Sequence, residues 1–293
     1  MTRIVSIDGE LVPPSRAVVS VYDRGFLYGD GVFESLRVYQ GRPFACDEHM
    51  ARLARSCAAL RIPLPAPVEQ IARELELAVA ASALADAYAR VTVTRGVGER
   101  TSLVPSGAAQ PLRVMLVEPL ALPPRDVYAN GLRAITLSWS RVPESPVGSA
   151  KLISYATRMA AVEEARARGA DEAIFVASDG RARDATTSNV FLVDDTGSLV
   201  TPSDGAGVLG GITRHHVIEL ACTFGLSVSV ASITVADLLR AREVFLTSSL
   251  RELASVVSID GKTIGTGAPG EVARRIHRAY RVRAGASGPP PWE

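Results

Sequence analysis

Three prolines, Pro119, Pro123 and Pro124, fall within a few residues of one another near the middle of the chain. Proline gives no N–H to a helix or a sheet ladder, so neither element runs through such a stretch. The chain is thereby divided in two, and each half alternates between the hydrophobic periods of strand and helix. In the first half, residues 3–7, 17–21 and 32–39 show the β-branched or alternating patterns of strands. Asp47 is placed to cap a helix whose apolar positions Met50, Leu53, Ala54, Cys57 and Leu60 run until Pro63. A second helix opens at Pro67 and turns Ile71, Leu75, Ala78 and Val79 to one face, and strand patterns return at 88–94 and 112–117. Beyond the prolines, strands are predicted at 132–139, 172–176 and 189–193, and helices at 153–168, 213–224, 235–241 and 270–280. The intermixing predicts an α/β (α+β) architecture: a small domain over 1–118, an interdomain loop over 119–127 and a larger domain over 128–283. The Gly-, Ser- and Pro-rich residues 284–293 read as a disordered tail.

A chain of 293 residues suits two domains of roughly 100–200 residues each. Apolar residues make up 47% of it, yet no uninterrupted apolar run reaches the roughly 18–20 residues that cross a bilayer. The start, Met1 to Asp8, alternates like a strand and lacks a basic, apolar and small-residue leader, so a soluble cytoplasmic protein is expected. Lys and Arg total 32 against 31 Asp and Glu, and no basic stretch is interleaved with aromatics, which argues against nucleic-acid partners. Cys46, Cys57 and Cys222 are odd in number and lack metal-ligand spacing, and are read as buried reduced thiols. His215, His216 and His277 have no acidic or thiol partner at ligand spacing, so they are read as surface or packing residues and no metal is expected.

Four places carry possible chemistry. Lys151 follows the small-residue loop Ser145-Pro146-Val147-Gly148-Ser149-Ala150 and precedes a helical pattern with Tyr155 one turn on. A lysine at a helix entrance is ordinarily a solvated charge; as a nucleophile it needs a desolvated or electropositive pocket that keeps the amine neutral. Leu209-Gly210-Gly211-Ile212-Thr213-Arg214 leads glycines into a helix. Such a junction is either an ordinary turn with Thr213 as cap or a phosphate site on unpaired N–H groups. The polar turn 181–188, ending in Thr186, Thr187 and Ser188, enters an apolar strand; it is either a hairpin of Ser, Thr, Asn and Asp side-chain turns or a place where an acidic side chain, such as Asp184, pairs with a buried pyridinium. Lastly, Thr247, Ser248 and Ser249 place hydroxyls at a strand end.

Taken with Asp23-Arg24-Gly25-Phe26-Leu27-Tyr28-Gly29-Asp30-Gly31-Val32-Phe33-Glu34, His49-Met50-Ala51-Arg52-Leu53 and Asn189-Val190-Phe191, these stretches resemble, in order and spacing, the class IV aminotransferases of PLP fold type IV. The resemblance covers almost the whole chain. It implies a two-domain fold with a pseudo-barrel in the larger domain and pyridoxal 5′-phosphate (PLP) as cofactor. It also implies a homodimer whose sites lie at domain and subunit boundaries. It implies that Lys151 forms the aldimine and then moves the proton between the substrate α-carbon and the cofactor. Tyr155 would hydrogen-bond the phenolic oxygen. Arg52, the backbone of Ile212 and Thr213, Ser249 and neighbouring Ser248 would hold the phosphate, with Leu209 against the ring. The family's acid at the ring nitrogen is Glu, and Asp184 replaces it with one methylene less reach. His49 is read as a structural contact.

Substrate signs are mixed. Tyr28, Phe33, Arg37, Tyr88 and Arg90 resemble branched-chain pocket residues, but Val91 stands where a proline is usual and Ser35 where a glycine is. D-amino acid transaminases usually carry a Tyr at Phe33 and an Arg-x-His group at Arg100-Thr101-Ser102, of which the arginine is kept. The stretch 93–100 looks more like the D-amino acid and aminodeoxychorismate lyase branches. The expected function is therefore D-amino acid transamination by a ping-pong route. Arg24, Arg37, Arg90 and Arg100 are the available carboxylate partners, of which at most two serve. A branched-chain L-amino acid transaminase, an aminodeoxychorismate lyase and a PLP-fold protein that binds without turnover are the alternatives, in that order.

Overall fold

A computed structural model describes residues 3–98, 102–104, 110–139, 147–203 and 207–293. The chain forms two compact units, Met1–Ala121 with Ala150–Tyr155, and Leu122–Ser149 with Ala156–Glu293. Each unit mixes helices with a β-sheet, a two-domain α/β (α+β) architecture.

The first unit contains β1 (Ile4–Ile7), β2 (Glu10–Val12), α1 (Arg24–Tyr28), β3 (Gly31–Tyr39), β4 (Arg42–Pro43), α2 (Cys46–Ala59), α3 (Val68–Ser82), β5 (Ala87–Thr94) and β6 (Leu112–Pro119). Its strands form one antiparallel sheet in the order β2-β1-β6-β5-β3-β4. Alternation sorts the side chains. Val32, Leu36 and Val38 of β3 and Ala89, Val91 and Val93 of β5 join Leu53 of α2 and Ile71 and Leu75 of α3 in one core. Residues of opposite parity, Phe33, Ser35 and Arg37, pair with Thr92, Arg90 and Tyr88 on the other face of the sheet.

Residues 151–153, expected to lead a helix in the larger domain, instead extend this sheet. Phe33 N–H donates to the Lys151 carbonyl at 2.9 Å and Ile153 N–H to the Gly31 carbonyl at 3.0 Å, on the part of β3 that β4 does not reach. The helix that follows is consequently shorter than 153–168. Two other expectations are corrected. Residues 17–21 form no strand, because their Val-rich pattern meets no sheet edge and lies exposed. The N-cap of α2 is Ala45, with a left-handed φ of 52°, and Asp47 lies in the first turn.

The second unit contains α4 (Arg125–Asn130), β7 (Leu132–Leu137), α5 (Ala156–Ala167), β8 (Glu172–Val176), β9 (Arg181–Ala185), β10 (Asn189–Val193), β11 (Leu199–Thr201), α6 (Ile212–Thr223), β12 (Val228–Val230), β13 (Ile233–Thr234), α7 (Val235–Arg240), β14 (Glu243–Ser248), β15 (Glu252–Ile259), β16 (Lys262–Thr263) and α8 (Glu271–Ala284). The ring β10-β14-β15-β7-β8-β9 closes through the β9–β10 pairing, Asp184 opposite Asn189. Closure gives each of these six strands a partner on both sides. Val190, Leu192, Leu246, Ala254 and Val256 lie in its core. Residues 285–293, expected as a disordered tail, are laid against α8: the Trp292 ring is 4.8 Å from that of His277, itself buried and 2.6 Å from Glu252. Cys57 is buried, whereas Cys222 on α6 is exposed.

Candidate functional site

In the first unit the sheet pairing of residues 151–153 fixes the Lys151 backbone, and the Lys151 N–H donates to Ser56 Oγ at 3.2 Å. Its Nζ stands 3.4 Å from Tyr155 Oη and 4.3 Å from the centroid of the Phe33 ring. Tyr155 meets Phe33 edge to face at 5.1 Å and precedes α5 rather than riding on it. The Arg90 guanidinium lies 3.8 Å from the same Phe33 centroid while its Nε donates to Thr92 Oγ1 at 3.0 Å. An amine walled by aromatic rings, with a guanidinium close by, is the setting a nucleophilic lysine requires. Tyr88 Oη and Ser35 Oγ are 3.5 Å apart on the same sheet face.

On the helix side of that sheet, Glu34 is fully buried among apolar neighbours. Arg52 donates to it through Nε and Nη2, both at 2.7 Å, and His49 Nδ1 lies 2.7 Å from Glu34 Oε2. Burial alone would push the Glu34 carboxyl up, but the Arg52 charge and the hydrogen bonds of Arg52 and His49 bring its pKa down to about 2. Burial holds the His49 pKa below its ordinary value against the opposing pull of Glu34. The imidazole is then neutral, and its Nδ1–H must donate, since an ionised carboxylate has no proton to give.

The four arginines considered for a carboxylate separate. Arg90 neighbours the Lys151 ring wall. Arg37 is buried, 4.5 Å from the Tyr39 ring centroid. The Arg24 fork is held by Asp30 at 2.9 Å and by the carbonyls of Ser102 and Leu103 at 2.5 and 3.1 Å, with Tyr28 beneath it at 5.0 Å. Arg100 and Thr101 lie outside the described residues, as do Ser145 and Pro146.

In the second unit, Asp184 is buried at the end of β9, and Arg158 Nη2 donates to its Oδ2 at 2.7 Å. Glu172, also buried, accepts from the N–H of Thr186 at 3.3 Å and from its hydroxyl, and holds Arg251 at 3.0 Å. The N-cap of α6 is Gly211, which makes no side-chain cap hydrogen bond. Ile212 and Thr213 are therefore its first helical residues, and Thr213 is not the cap. A Cβ on Gly211 would collide with Asn189 Oδ1, while Asn189 Nδ2 donates to the Leu209 carbonyl at 2.8 Å. Ser248 Oγ accepts from Arg251 N–H at 3.3 Å, and Ser249 follows it, half-buried.

Two buried hydroxyls here, Thr247 Oγ1 and Ser188 Oγ, find no hydrogen-bond partner among the described residues. Thr247 is the register partner of Asn189, beside the α6 start. Unsatisfied buried hydroxyls are costly. With the glycine cradle and the uncapped helix terminus, they fit a phosphorylated ligand. Taken unit by unit, the chemistry suits PLP: the second unit holds an acid for a ring nitrogen and helix N–H groups and hydroxyls for a phosphate, and the first holds an amine for an aldehyde.

Buried Glu34 and Glu172 and the partly buried Arg158 have no role assigned to them from the sequence. Glu34 had a signal: it occupies a core-facing position of β3 between Val32 and Leu36, where only a paired charge survives burial. Arg158 and Glu172 had none.

A family model described as Amino-transferase class IV matches residues 31–259. A putative branched-chain-amino-acid aminotransferase of Methanocaldococcus jannaschii is 35% identical over 278 residues, covering 94% of this chain and 95% of that protein. A D-alanine aminotransferase of Bacillus licheniformis is 33% identical over 277 residues, again covering 94% and 95%. Among solved structures, a branched-chain amino acid aminotransferase from T.th., complexed with N-(5′-phosphopyridoxyl)-L-glutamate, superposes with a TM-score of 0.89. It is 30% identical and is matched over 99% of this chain and 96% of that one.

Proposed function

The chain belongs to the class IV aminotransferases, which are PLP-dependent transaminases, and on that premise we propose that it moves the amino group of a D-amino acid such as D-alanine or D-glutamate to a 2-oxo acid. The observation that carries the transaminase reading is Lys151 Nζ beside Tyr155 Oη and the Phe33 ring, with Arg90 on that same ring. PLP, when bound, supplies the carbonyl carbon that takes the amino group and a ring that draws electrons from the substrate α-carbon.

The protein's own residues do the rest. Lys151 acts as nucleophile and then as the base and acid that carries the α-proton. Tyr155 donates to the cofactor's phenolic oxygen, and Phe33 keeps water from the amine. In the second unit the N–H groups of Ile212 and Thr213 and the hydroxyls of Ser248 and Ser249 would hold the phosphate, Asp184 would take the ring nitrogen and Leu209 would pack on the ring; in the first unit Arg52 would offer its guanidinium to the phosphate. Arg90, with Arg37 or Arg100, takes a substrate carboxylate in bidentate fashion. Arg24 and Tyr28, bound into the Asp30 network, set the pocket wall.

The D-amino acid reading is supported by the likeness of residues 93–100 to that branch and by the Bacillus licheniformis relative. A branched-chain L-amino acid transaminase is the second reading. It is supported by Arg37, Tyr88 and Arg90 on one sheet face and by the Methanocaldococcus jannaschii relative. Mixing the holoenzyme with D-alanine or with L-leucine, and following cofactor absorbance and the released 2-oxo acid, separates them. Turnover of D-alanine with release of pyruvate before the second substrate binds is expected, and turnover of L-leucine alone reverses the order.

We place the enzyme in the cytoplasm as a homodimer. Free Cys46, Cys57 and Cys222 support the first, and the exposed apolar residues Val18, Val19, Val21, Tyr22, Phe26 and Leu27 support the second. Among the described residues no helix is long and apolar enough to cross a membrane.

A further inference from the structure

Arg158 sits in the first turn of α5, the end of a helix at which backbone dipoles disfavour a cation. Its fork nevertheless makes three hydrogen bonds to one turn. Nη2 donates to Asp184 Oδ2 at 2.7 Å, and Nη1 donates to the carbonyls of Ala185 at 2.8 Å and Thr186 at 2.6 Å. The ion pair is largely withdrawn from water, with side-chain exposures of 14% and 4%. The ring of Phe175 lies 5.7 Å from the guanidinium carbon. The same turn is gripped a second time by Glu172, through the N–H and hydroxyl of Thr186. Asp184, one methylene shorter than glutamate, thus stands on a backbone that has little room to move and shares its charge with a fixed cation.

We propose that Arg158 is a positioning residue that divides the negative charge of Asp184, so that the cofactor's ring nitrogen meets a partly compensated carboxylate and holds its proton less tightly than an unshared acid would make it. The inference rests on the assignment of Asp184 to that nitrogen. Its cause is electrostatic: in a poorly solvated site, a guanidinium in hydrogen-bond contact lowers a carboxylate's attraction for a second cation.

The test is nitrogen NMR of PLP isotopically labelled at its ring nitrogen, bound to the wild-type protein and to the R158Q, R158K and D184N variants, each checked for folding by thermal melting. R158Q leaves Asp184 its whole charge, so the proton affinity of the nitrogen is expected to rise about tenfold and the signal to move towards the protonated pyridine position. R158K keeps the charge and loses the fork, so its signal is expected to stay at the wild-type position. An R158Q signal that coincides with wild type, or an R158K signal displaced as far as that of R158Q, overturns the proposal. Where R158Q does not fold, R158K decides: a signal at the wild-type position supports the charge-sharing role, and one displaced towards D184N overturns it. D184N is expected to move the signal towards unprotonated pyridine. An unmoved D184N signal removes the assignment of Asp184 itself, an outcome distinct from a moved D184N signal with an unmoved R158Q.

Discussion

Glu34 is the residue on which the phosphate end of the proposed site turns, because it joins Arg52 to His49. Its carboxyl is ordinary at 4.5 when unfolded and held at about 2 in the fold. A depressed carboxyl stabilises the fold fully above the unfolded value. As pH falls from about 4.5 to about 2 the unfolded chain takes up a proton that the folded chain refuses, and that stability is lost. Urea melts across this range are expected to show that acid slope in the wild type and a shallower one in Glu34→Gln. The variant should also lose roughly 3–5 kcal/mol at neutral pH, the cost of breaking a buried ion pair; equal acid slopes would count against the pairing. Lys151→Ala is a different kind of change: it should leave melting nearly untouched, abolish the borohydride-trapped adduct, and lower turnover by at least roughly 10²–10⁴-fold. A trapped adduct persisting at another lysine would displace Lys151 from its role. Lys151, Tyr155 and Asp184 were each singled out as residues, and the charge at Glu34 was readable from strand parity. Arg158 was not, because an arginine in a first helical turn looks like any solvated cation until its partner across the fold is known.

At the level of elements, the reading held where periodicity alone decides and failed where a tertiary partner does. β3, β5, β8, β10 and α6 lie within a residue or two of the segments expected from period two or 3.6, and α3 starts one residue after the expected opening at Pro67. Residues 17–21 carry as good a strand pattern as any, yet a strand needs an edge to pair with, and no edge is offered there. Residues 151–153 went the other way, drawn from a helical pattern by the bare edge of β3. The start of α6 shows what an element contributes to the site. Gly211 has an ordinary φ of −75°, so its small size answers a lack of space and not backbone strain. In Gly211→Ala the new methyl group would push Asn189 or the helix start aside, loosening the bond from Asn189 to the Leu209 carbonyl. A stability loss of about 1–3 kcal/mol is expected from the overpacking. Cofactor loss on gel filtration should rise more steeply than the melting temperature falls, since the same shift misdirects the helix N–H groups. A variant that melts lower but keeps its cofactor would show that this terminus does not hold the phosphate.

For the molecule as a whole, the surface of the first unit poses the remaining question. Val18 is 76% exposed, Tyr22 64% and Phe26 72%, all within one short stretch. Arg24, between them, bonds the carbonyls of Ser102 and Leu103, which brings the exposed Leu103 and Val104 to the same region. Scattered exposed apolar residues are normal on a monomer, but several so close in the chain fit the homodimer contact proposed above. A second copy of this chain is the occupant we propose, since two-fold pairing lets one patch cover its own counterpart. Charged substitutions at exposed positions cost the isolated fold little, commonly within about 0.5 kcal/mol, so a double Val21→Asp, Phe26→Asp variant separates assembly from folding. Light scattering at micromolar concentration is expected to give twice the chain mass for the wild type and the single-chain mass for the variant, with matching circular dichroism. A wild type that is already a monomer would refute the pairing. So would a variant that still dimerises, because two buried carboxylates facing their own copies across a two-fold axis have no partner to offset their desolvation.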